Sequence, residues 1–122
     1  MFQEMLKQIL HDTPGSVAIT LMGYDGIAVA NEVAHSPNGL ETDFESVAIE
    51  LGSLAFQFRK QGTEIGVGDF REMVVESDHL TTVLRTVTHD YFLALSLHPT
   101  GNSGKGRYLL RTLGPQLAPE LT

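Results

Sequence analysis

The sequence predicts a single α+β domain whose elements follow the order α-β-β-α-β-β-β-α. Three observations predict this class. Apolar residues recur at helical spacing in three segments, and the segments between them have the alternation or the β-branched residues of strands. Turn-forming residues separate the segments. With 122 residues and no cysteine, the chain has the size of one domain with its own core.

The first helix and a hairpin are predicted from the N-terminal third. Residues 2–10 have helical periodicity, which the Thr-Pro-Gly segment at 13–15 stops. Alternation begins at Ser16, and the apolar run 27–30 follows the Gly-Tyr-Asp-Gly segment at 23–26. Asp-Gly at this place predicts a type I′ turn, because that turn needs positive φ at both central residues. The first two strands are therefore expected to be antiparallel neighbours.

A central helix is predicted from Asp43 to Lys60, after a loop at residues 31–41 that contains Ser-Pro-Asn-Gly at 36–39. Thr42 and Glu45 have the spacing of a capping box, which predicts where the helix starts. Gly62 is a possible stop. One apolar stripe of this helix is expected to cover the core: Phe44, Val47, Ala48, Leu51, Leu54, Ala55 and Phe58.

A second stripe on the same helix is more than a single core contact requires. It consists of Ile49, Gly52, Ser53 and Phe56, and its small residues would let another backbone approach closely. A partner helix is the simplest occupant. The alternative is a helix buried deeply between neighbours in its own domain.

Three strands and a last helix complete the prediction. The strands are expected at about 69–77, 80–88 and 91–98, with a tight turn at His89 and Asp90. The last strand is apolar on both faces, which predicts a central position in the sheet. The final helix is expected to end near Gly114 and Pro115.

Composition excludes several classes of function. A formal charge of -7 without a basic cluster disfavours binding to nucleic acid or to anionic membranes. No apolar run has the length of a bilayer span. The N-terminus lacks the pattern of a secretory signal, so a cytoplasmic location is expected.

No catalytic, cofactor or metal site is predicted. The glycine-rich segment 101–106 departs from a phosphate loop, because Pro99 stands where a glycine is needed and Gly106 where a hydroxyl is needed. A helix-entry turn is the preferred interpretation. His89 beside Asp90 is interpreted as a hydrogen-bonded turn pair. The histidines lack the spacing of metal ligands: His11, His35, His79, His89 and His98.

Arginines offer a possible partner surface. The candidates for contact with a nucleotide hydrolase are five arginines, each of which is otherwise an ordinary solvated or ion-paired surface group: Arg59, Arg71, Arg85, Arg107 and Arg111. The predicted partner surface consists of Arg59, Arg107 and Arg111. Arg107 and Arg111 are four residues apart on the last predicted helix, which predicts one outward basic patch there.

Taken together, these features resemble the Roadblock family, which includes the dynein light chain of that name and bacterial MglB-type regulators of Ras-like GTPases. The resemblance extends from the first helix to Leu113. It is carried by the hairpin at 17–30, the amphipathic helix after a loop, the three consecutive strands, and the segment 102–110 that opens the last helix. It implies a five-stranded antiparallel sheet flanked by helices, similar to longin and profilin folds.

The resemblance also implies a homodimer in which the central helices pack together and the third strands pair edge to edge. On this sequence the interface would use Ile49, Gly52, Ser53 and Phe56, with Phe70, Glu72 and Val74 on the edge strand 70–75. Such dimers have no active site or cofactor of their own and present a platform to a small Ras-like GTPase. In the MglB-like branch they accelerate GTP hydrolysis without donating an arginine finger.

Two alternatives remain open at this stage. One is an adaptor that holds a motor or signalling complex together without affecting nucleotide state. The other is a sensor with a small-ligand pocket between sheet and helix. Preference for a GTP-loaded over a GDP-loaded partner would identify a regulator. A ligand-dependent shift in melting temperature would identify a sensor.

Overall fold

The computed structural model describes residues 2–34 and 42–121, so most of the predicted loop at 31–41 lies outside the described residues. The start of that prediction is wrong, because residues 31–33 belong to a strand. The predicted order of elements is confirmed. None of the described helices is long and apolar enough to cross a bilayer. The elements are α1 (Phe2–Asp12), β1 (Ser16–Gly23), β2 (Ala28–Val33), α2 (Phe44–Gly62), β3 (Glu72–Glu76), β4 (Thr81–Thr86), β5 (Tyr91–Leu97), α3 (Ser103–Leu113) and a 3₁₀ helix (Gly114–Leu121).

The five strands form one antiparallel sheet in the order β2-β1-β5-β4-β3. As predicted, β5 is the central strand, and six of its seven residues are buried. The register places Val83 opposite Leu95 and Leu95 opposite Ile19, so one apolar row crosses three strands. The two edges of the described sheet are β2 and β3.

Helices cover the sheet on both faces. On one face, α1 and α3 bury Leu6, Ile9 and Leu110 against the row that contains Leu95. On the other face, α2 packs on a separate cluster around Phe92. Each large apolar side chain that is fully buried in this way contributes about 1.5–3 kcal/mol. The two clusters fix α2 and α3 on opposite sides of one sheet.

The predicted type I′ turn between β1 and β2 is wrong. The N–H of Gly26 donates to the carbonyl of Gly23, and the N–H of Gly23 donates to the carbonyl of Ile27, both at 2.9 Å. Gly26 has a φ of 86°, whereas Asp25 does not have a positive φ. The Asp25 carboxylate instead accepts the N–H of Ile27 at 3.0 Å. This side-chain bond and Gly26 favour a three-residue loop over a two-residue one.

The predicted capping box at Thr42 and Glu45 is also wrong, because Asp43 is the N-cap residue of α2. Its carboxylate accepts the backbone N–H of Ser46 at 3.0 Å and the Ser46 hydroxyl at 2.7 Å. These two bonds lower the pKa of Asp43, the hydroxyl bond contributing most. A charged acceptor at this place also complements the positive end of the helix dipole.

Two residues that were predicted in the core are exposed. Leu54 is 51% exposed and Phe58 is 48% exposed. The contact of α2 with the sheet runs through Ala48, Leu51 and Ala55, and Leu54 and Phe58 lie to one side of that line. A helix that rests on a sheet buries only a narrow stripe, so side chains beside the stripe extend into solvent.

The last three strands are shorter than predicted, and the turn before β5 has different bonds. β3 and β4 comprise five and six residues, because the chain leaves the ladder at both ends. In the turn, the N–H of Asp90 donates to the Thr88 hydroxyl at 3.2 Å, and the described residues show no bond between His89 and Asp90. The predicted His89–Asp90 pair is therefore wrong. The predicted end of the last helix is confirmed, since α3 ends at Leu113.

Candidate functional site

The residues predicted for a dimer interface fall into two groups on opposite flanks of α2. Ile49, Ser53 and Phe56 line a groove of about 240 Å³ together with the turn between β1 and β2. Phe70 and Glu72 instead lie near the start of β3, beside the other flank of the helix. The structure does not bring the two groups together within one protomer.

Gly52 packs against its own sheet. A Cβ atom at this position would lie 2.7 Å from the ring of Phe92, which is closer than real contacts allow. Gly52 is buried, whereas its neighbours Ile49 and Ser53 in the second stripe are exposed. The small size of Gly52 thus serves the contact between α2 and Phe92.

A cluster of aromatic rings and cations borders the groove. The Arg59 guanidinium lies 4.4 Å from the centre of the Tyr24 ring and 5.3 Å from that of Phe56. One N–H of Arg59 donates to the carbonyl of His89 at 2.7 Å. The Lys60 ammonium lies 4.8 Å from the Phe56 ring. These contacts fix the predicted partner residue Arg59 on the flank of α2 that faces the β1–β2 turn.

Tyr24 anchors this cluster. Its hydroxyl shares a hydrogen bond with the hydroxyl of Thr86, and its ring packs 4.8 Å from that of Phe92. Burial raises the pKa of Tyr24 above its usual value, although the Thr86 bond and the nearby Arg59 act in the opposite direction. Tyr24 is therefore a neutral side chain that positions Arg59.

The flank of α2 next to β3 is apolar and open. We call Leu54, Phe58 and Val67 the β3 flank; all three are exposed, and Phe58 packs edge-on against Phe70 with ring centres 6.3 Å apart. Val67 and Phe70 line the same depression as Phe58. Beside it, β3 pairs only with β4 in the described sheet, which leaves the other edge of β3 free. An open strand edge beside exposed apolar side chains is a typical protein-binding surface.

Glu72 and Val74, both predicted for the interface, lie on β3 itself. The Glu72 carboxylate is only 13% exposed and accepts bonds from Arg85 at 3.2 Å and from Arg107 at 2.7 Å. It therefore connects the edge strand to β4 and to α3. Val74 is exposed. Met73 and Val75, its neighbours along the strand, pack on the α2 side of the sheet.

The predicted basic patch on the last helix is present. Arg107 and Arg111 are both exposed on α3. Since α3 and α2 lie on opposite faces of the sheet, these two arginines and Arg59 do not form one surface. A partner that contacts Arg59 meets a different part of the protomer from one that contacts Arg111.

The glycine-rich turn before α3 serves packing. A Cβ at Gly106 would lie 2.7 Å from Leu95, and one at Gly15 would lie 2.5 Å from the Cα of Gly101. Asn102 caps α3 by accepting the N–H of Lys105 at 2.9 Å, which is the predicted helix-entry turn. Within residues 2–34 and 42–121, no three His, Asp or Glu side chains are placed to hold a metal ion.

Comparison with solved structures identifies the family. No protein-family model and no curated protein sequence matches the chain. MglC from Myxococcus xanthus is 35% identical, with 98% of each chain covered and a TM-score of 0.68. A Roadblock/LC7 domain from Streptomyces avermitilis is 20% identical over 97% of this chain and 95% of its own, with a TM-score of 0.81. The gliding protein MglB from Thermus thermophilus is 19% identical over 95% and 84%, with a TM-score of 0.82.

The second and third structures share the fold with this chain. MglC shares both fold and sequence over almost the whole length. The elements that carry the resemblance in the sequence are the ones that build the five-stranded sheet and its flanking helices. The chain therefore belongs to the Roadblock/MglB-like family, a family of small-GTPase regulators and adaptors.

Proposed function

We propose that this chain forms a homodimer that binds a small Ras-like GTPase and regulates its nucleotide state, without an active site of its own. Family membership supports the regulatory role. The observation that carries the dimer is the β3 flank beside the open edge of β3. A cytoplasmic location is part of the proposal, because a Ras-like GTPase depends on the GTP pool of the cytoplasm.

In the proposed dimer, the β3 strands of two copies pair and the two β3 flanks pack against each other. Pairing satisfies the free backbone groups of β3, which would otherwise invite aggregation. Leu54 and Phe58 would lose about half of their surface to a partner copy. Val74 lies on the paired strand, with its side chain on the face of the sheet opposite α2.

The opposite flank of α2 then stays available for the GTPase. Ile49 and Phe56 supply its apolar surface, Ser53 lies beside them, and the guanidinium of Arg59 is held at its end. Because Arg59 donates to the His89 carbonyl and stacks on Tyr24, its guanidinium is held in one position, where a bound GTPase would contact it. We propose that it orients the GTPase and that the GTPase supplies the groups that hydrolyse GTP.

Single-turnover GTP hydrolysis by a Ras-like GTPase of the same organism, with and without excess protein, tests the proposal. Acceleration would establish a GTPase activator. Preferential binding of the GTP-loaded form without acceleration would establish an effector or scaffold. Equal binding of both nucleotide states would favour the adaptor, and the absence of binding would refute the regulatory role and direct attention to the sensor alternative.

A matched pair of variants sharpens this test. Arg59→Gln removes the charge on the proposed GTPase surface, whereas Arg71→Gln removes the same charge from an exposed position that lines the depression beside Phe58. We expect Arg59→Gln to weaken GTPase binding by about tenfold and Arg71→Gln to change it by less than about threefold. The reverse order would place the GTPase on the β3 flank.

A further inference from the structure

The outward face of α3 has a charge opposite to that of the rest of the protein. The chain has a formal charge of -7, yet residues 91–119 contain three basic residues and no acidic residue. All three of these basic residues, Lys105, Arg107 and Arg111, lie on α3. Charge is therefore segregated, and α3 forms a positive strip on an acidic molecule.

The strip includes an exposed aromatic ring. Tyr108 is 50% exposed, and the Lys105 ammonium and the Arg111 guanidinium each lie 5.8 Å from the centre of its ring. The inward side of the helix is occupied by Leu109 and Leu110, which pack in the core. The outward side of α3 therefore presents the Tyr108 ring between the cations of Lys105 and Arg111.

Most of this positive charge is not neutralised within the protomer. Across residues 2–34 and 42–121, the ion pairs engage Arg107 but neither Lys105 nor Arg111. The carboxylate that Arg107 contacts, Glu72, is shared with Arg85, so one negative charge faces two positive ones. The cluster as a whole therefore keeps a net positive charge toward solvent.

We propose that this face of α3 docks an acidic segment of a partner protein, with carboxylates on Lys105 and Arg111 and an apolar side chain on the Tyr108 ring. Charge complementarity on an otherwise acidic molecule selects such a segment and orients it. α3 is about 16 Å long, which suits a short peptide. A membrane or a nucleic acid would extend past the strip and meet the acidic remainder of the protein.

This surface goes beyond the proposed GTPase regulation and does not rest on it. It lies on the face of the sheet opposite α2, so the acidic segment and a GTPase would bind the same protomer together. The dimer through β3 would also leave it free, because Lys105, Tyr108 and Arg111 point away from the sheet.

Fluorescence anisotropy with a labelled synthetic peptide tests the proposal. The probe contains pairs of glutamates around one phenylalanine, and the control peptide has glutamines in place of the glutamates. The variant Lys105→Gln with Arg111→Gln removes two exposed charges from α3. The matched control, Arg59→Gln with Lys60→Gln, removes two charges from α2. We expect about fivefold to tenfold weaker binding for the α3 variant and less than about twofold for the α2 variant.

The aromatic contribution is measured separately. Tyr108→Ala is expected to weaken the phenylalanine-containing peptide by about threefold and to leave an alanine-substituted peptide almost unaffected. Thermal unfolding confirms that each variant is folded, which is expected because Arg59 is only partly buried and the other substituted side chains are exposed: Lys60, Lys105, Tyr108 and Arg111.

Three results would overturn the proposal. One is the absence of glutamate-dependent binding to the unsubstituted protein. Another is an equal loss in the α3 and α2 variants, which would mean attraction to positive charge in general. The third is sedimentation with phosphatidylserine vesicles that depends on Lys105 and Arg111 when the peptide does not bind, which would identify a membrane contact instead.

Discussion

Replacing Phe58 by aspartate tests which flank of α2 joins two protomers. Phe58 is 48% exposed in the protomer, so pairing of the β3 flanks would bury the remaining half of its side chain. A fully buried phenylalanine removes about 200 Å² from water. About 100 Å² is then buried at the interface, which is worth about 2.5 kcal/mol per protomer at about 25 cal/mol per Å².

The two symmetric copies together contribute about 5 kcal/mol, and the substitution removes both at once. The change in dimer dissociation constant is therefore on the order of several thousandfold. Aspartate also adds one negative charge from each protomer to the proposed interface, which increases the effect. Sedimentation velocity over a range of protein concentrations gives the dissociation constant directly. We expect Phe58→Asp to be monomeric at concentrations where the unsubstituted protein is a dimer.

Phe56→Asp is the matched control, because it makes the same substitution two residues away on the opposite flank. Phe58 also contacts Phe70, so Leu54→Asp provides a second test at a side chain with no aromatic partner. Leu54→Asp should dissociate the dimer, and Phe56→Asp should leave it intact. A monomer from Phe56→Asp, with dimers from both other variants, would refute this reasoning and favour the interface expected from the second stripe of the sequence.

Three further predictions concern stability. Gly52→Val places a side chain against Phe92, where even a Cβ would lie 2.7 Å from the ring. Overpacking should lower the free energy of unfolding by about 1–3 kcal/mol, measured by thermal unfolding. An unchanged melting temperature would contradict the close contact. Glu72→Gln leaves the half-buried Arg85 without its carboxylate and should cost about 1–3 kcal/mol in urea unfolding, whereas the exposed Glu76→Gln on the same strand should have almost no effect. Asp43→Ala removes a carboxyl group whose pKa is lowered by folding. The loss in free energy of unfolding should therefore be largest above the ordinary carboxyl pKa of 3.8 and should shrink as the pH falls through the lower pKa of the folded state. Urea unfolding at a series of pH values checks this, and a difference that grows toward acid would contradict it.

The spacing of apolar residues predicted the order of helices and strands, because that spacing differs between a helix and a strand. The central position of β5 was predicted because a strand with two apolar faces needs cover on both sides, and helices do cover both faces of the sheet. The bounds of the other strands were less accurate. Phe70 and Leu80 are buried like strand residues but lie outside the ladder. The apolar pattern reports which residues are buried, whereas the bounds of a strand depend on which residues pair with the neighbouring strand.

Local turn chemistry was harder to predict, because one side chain can favour a competing geometry. The dipeptide Asp-Gly at 25–26 fits a two-residue turn, but the Asp25 carboxylate bonds the N–H of Ile27 and favours a longer one. Thr42 and Glu45 have the spacing of a capping box, yet Asp43 between them has the stronger acceptor. In both cases a carboxylate that accepts a nearby backbone N–H decided the geometry.

The glycines illustrate a different limit. Gly52 in an amphipathic helix indicates that something approaches closely, and the sequence left open whether a partner or its own domain does so. The answer is the Phe92 ring, which lies on a strand forty residues later in the chain. Gly106 likewise receives Leu95, so this glycine beside Lys105 reflects packing of α3 on the sheet. A glycine in a helix indicates that another group packs closely against it, but only the tertiary structure shows which group this is.

The same limit explains why the residues predicted for the interface lie on both flanks of α2. Helical spacing separates the two stripes of α2 but does not say which of them lies beside the edge strand. The sheet order decides this, because β3 is at one edge and the β1–β2 turn is on the other side of α2. Phe56 then faces Tyr24, whereas Phe58 faces Phe70 next to β3. In the proposed dimer through the β3 edge, we therefore expect Phe58 at the interface and Phe56 on the surface that is left to a different partner.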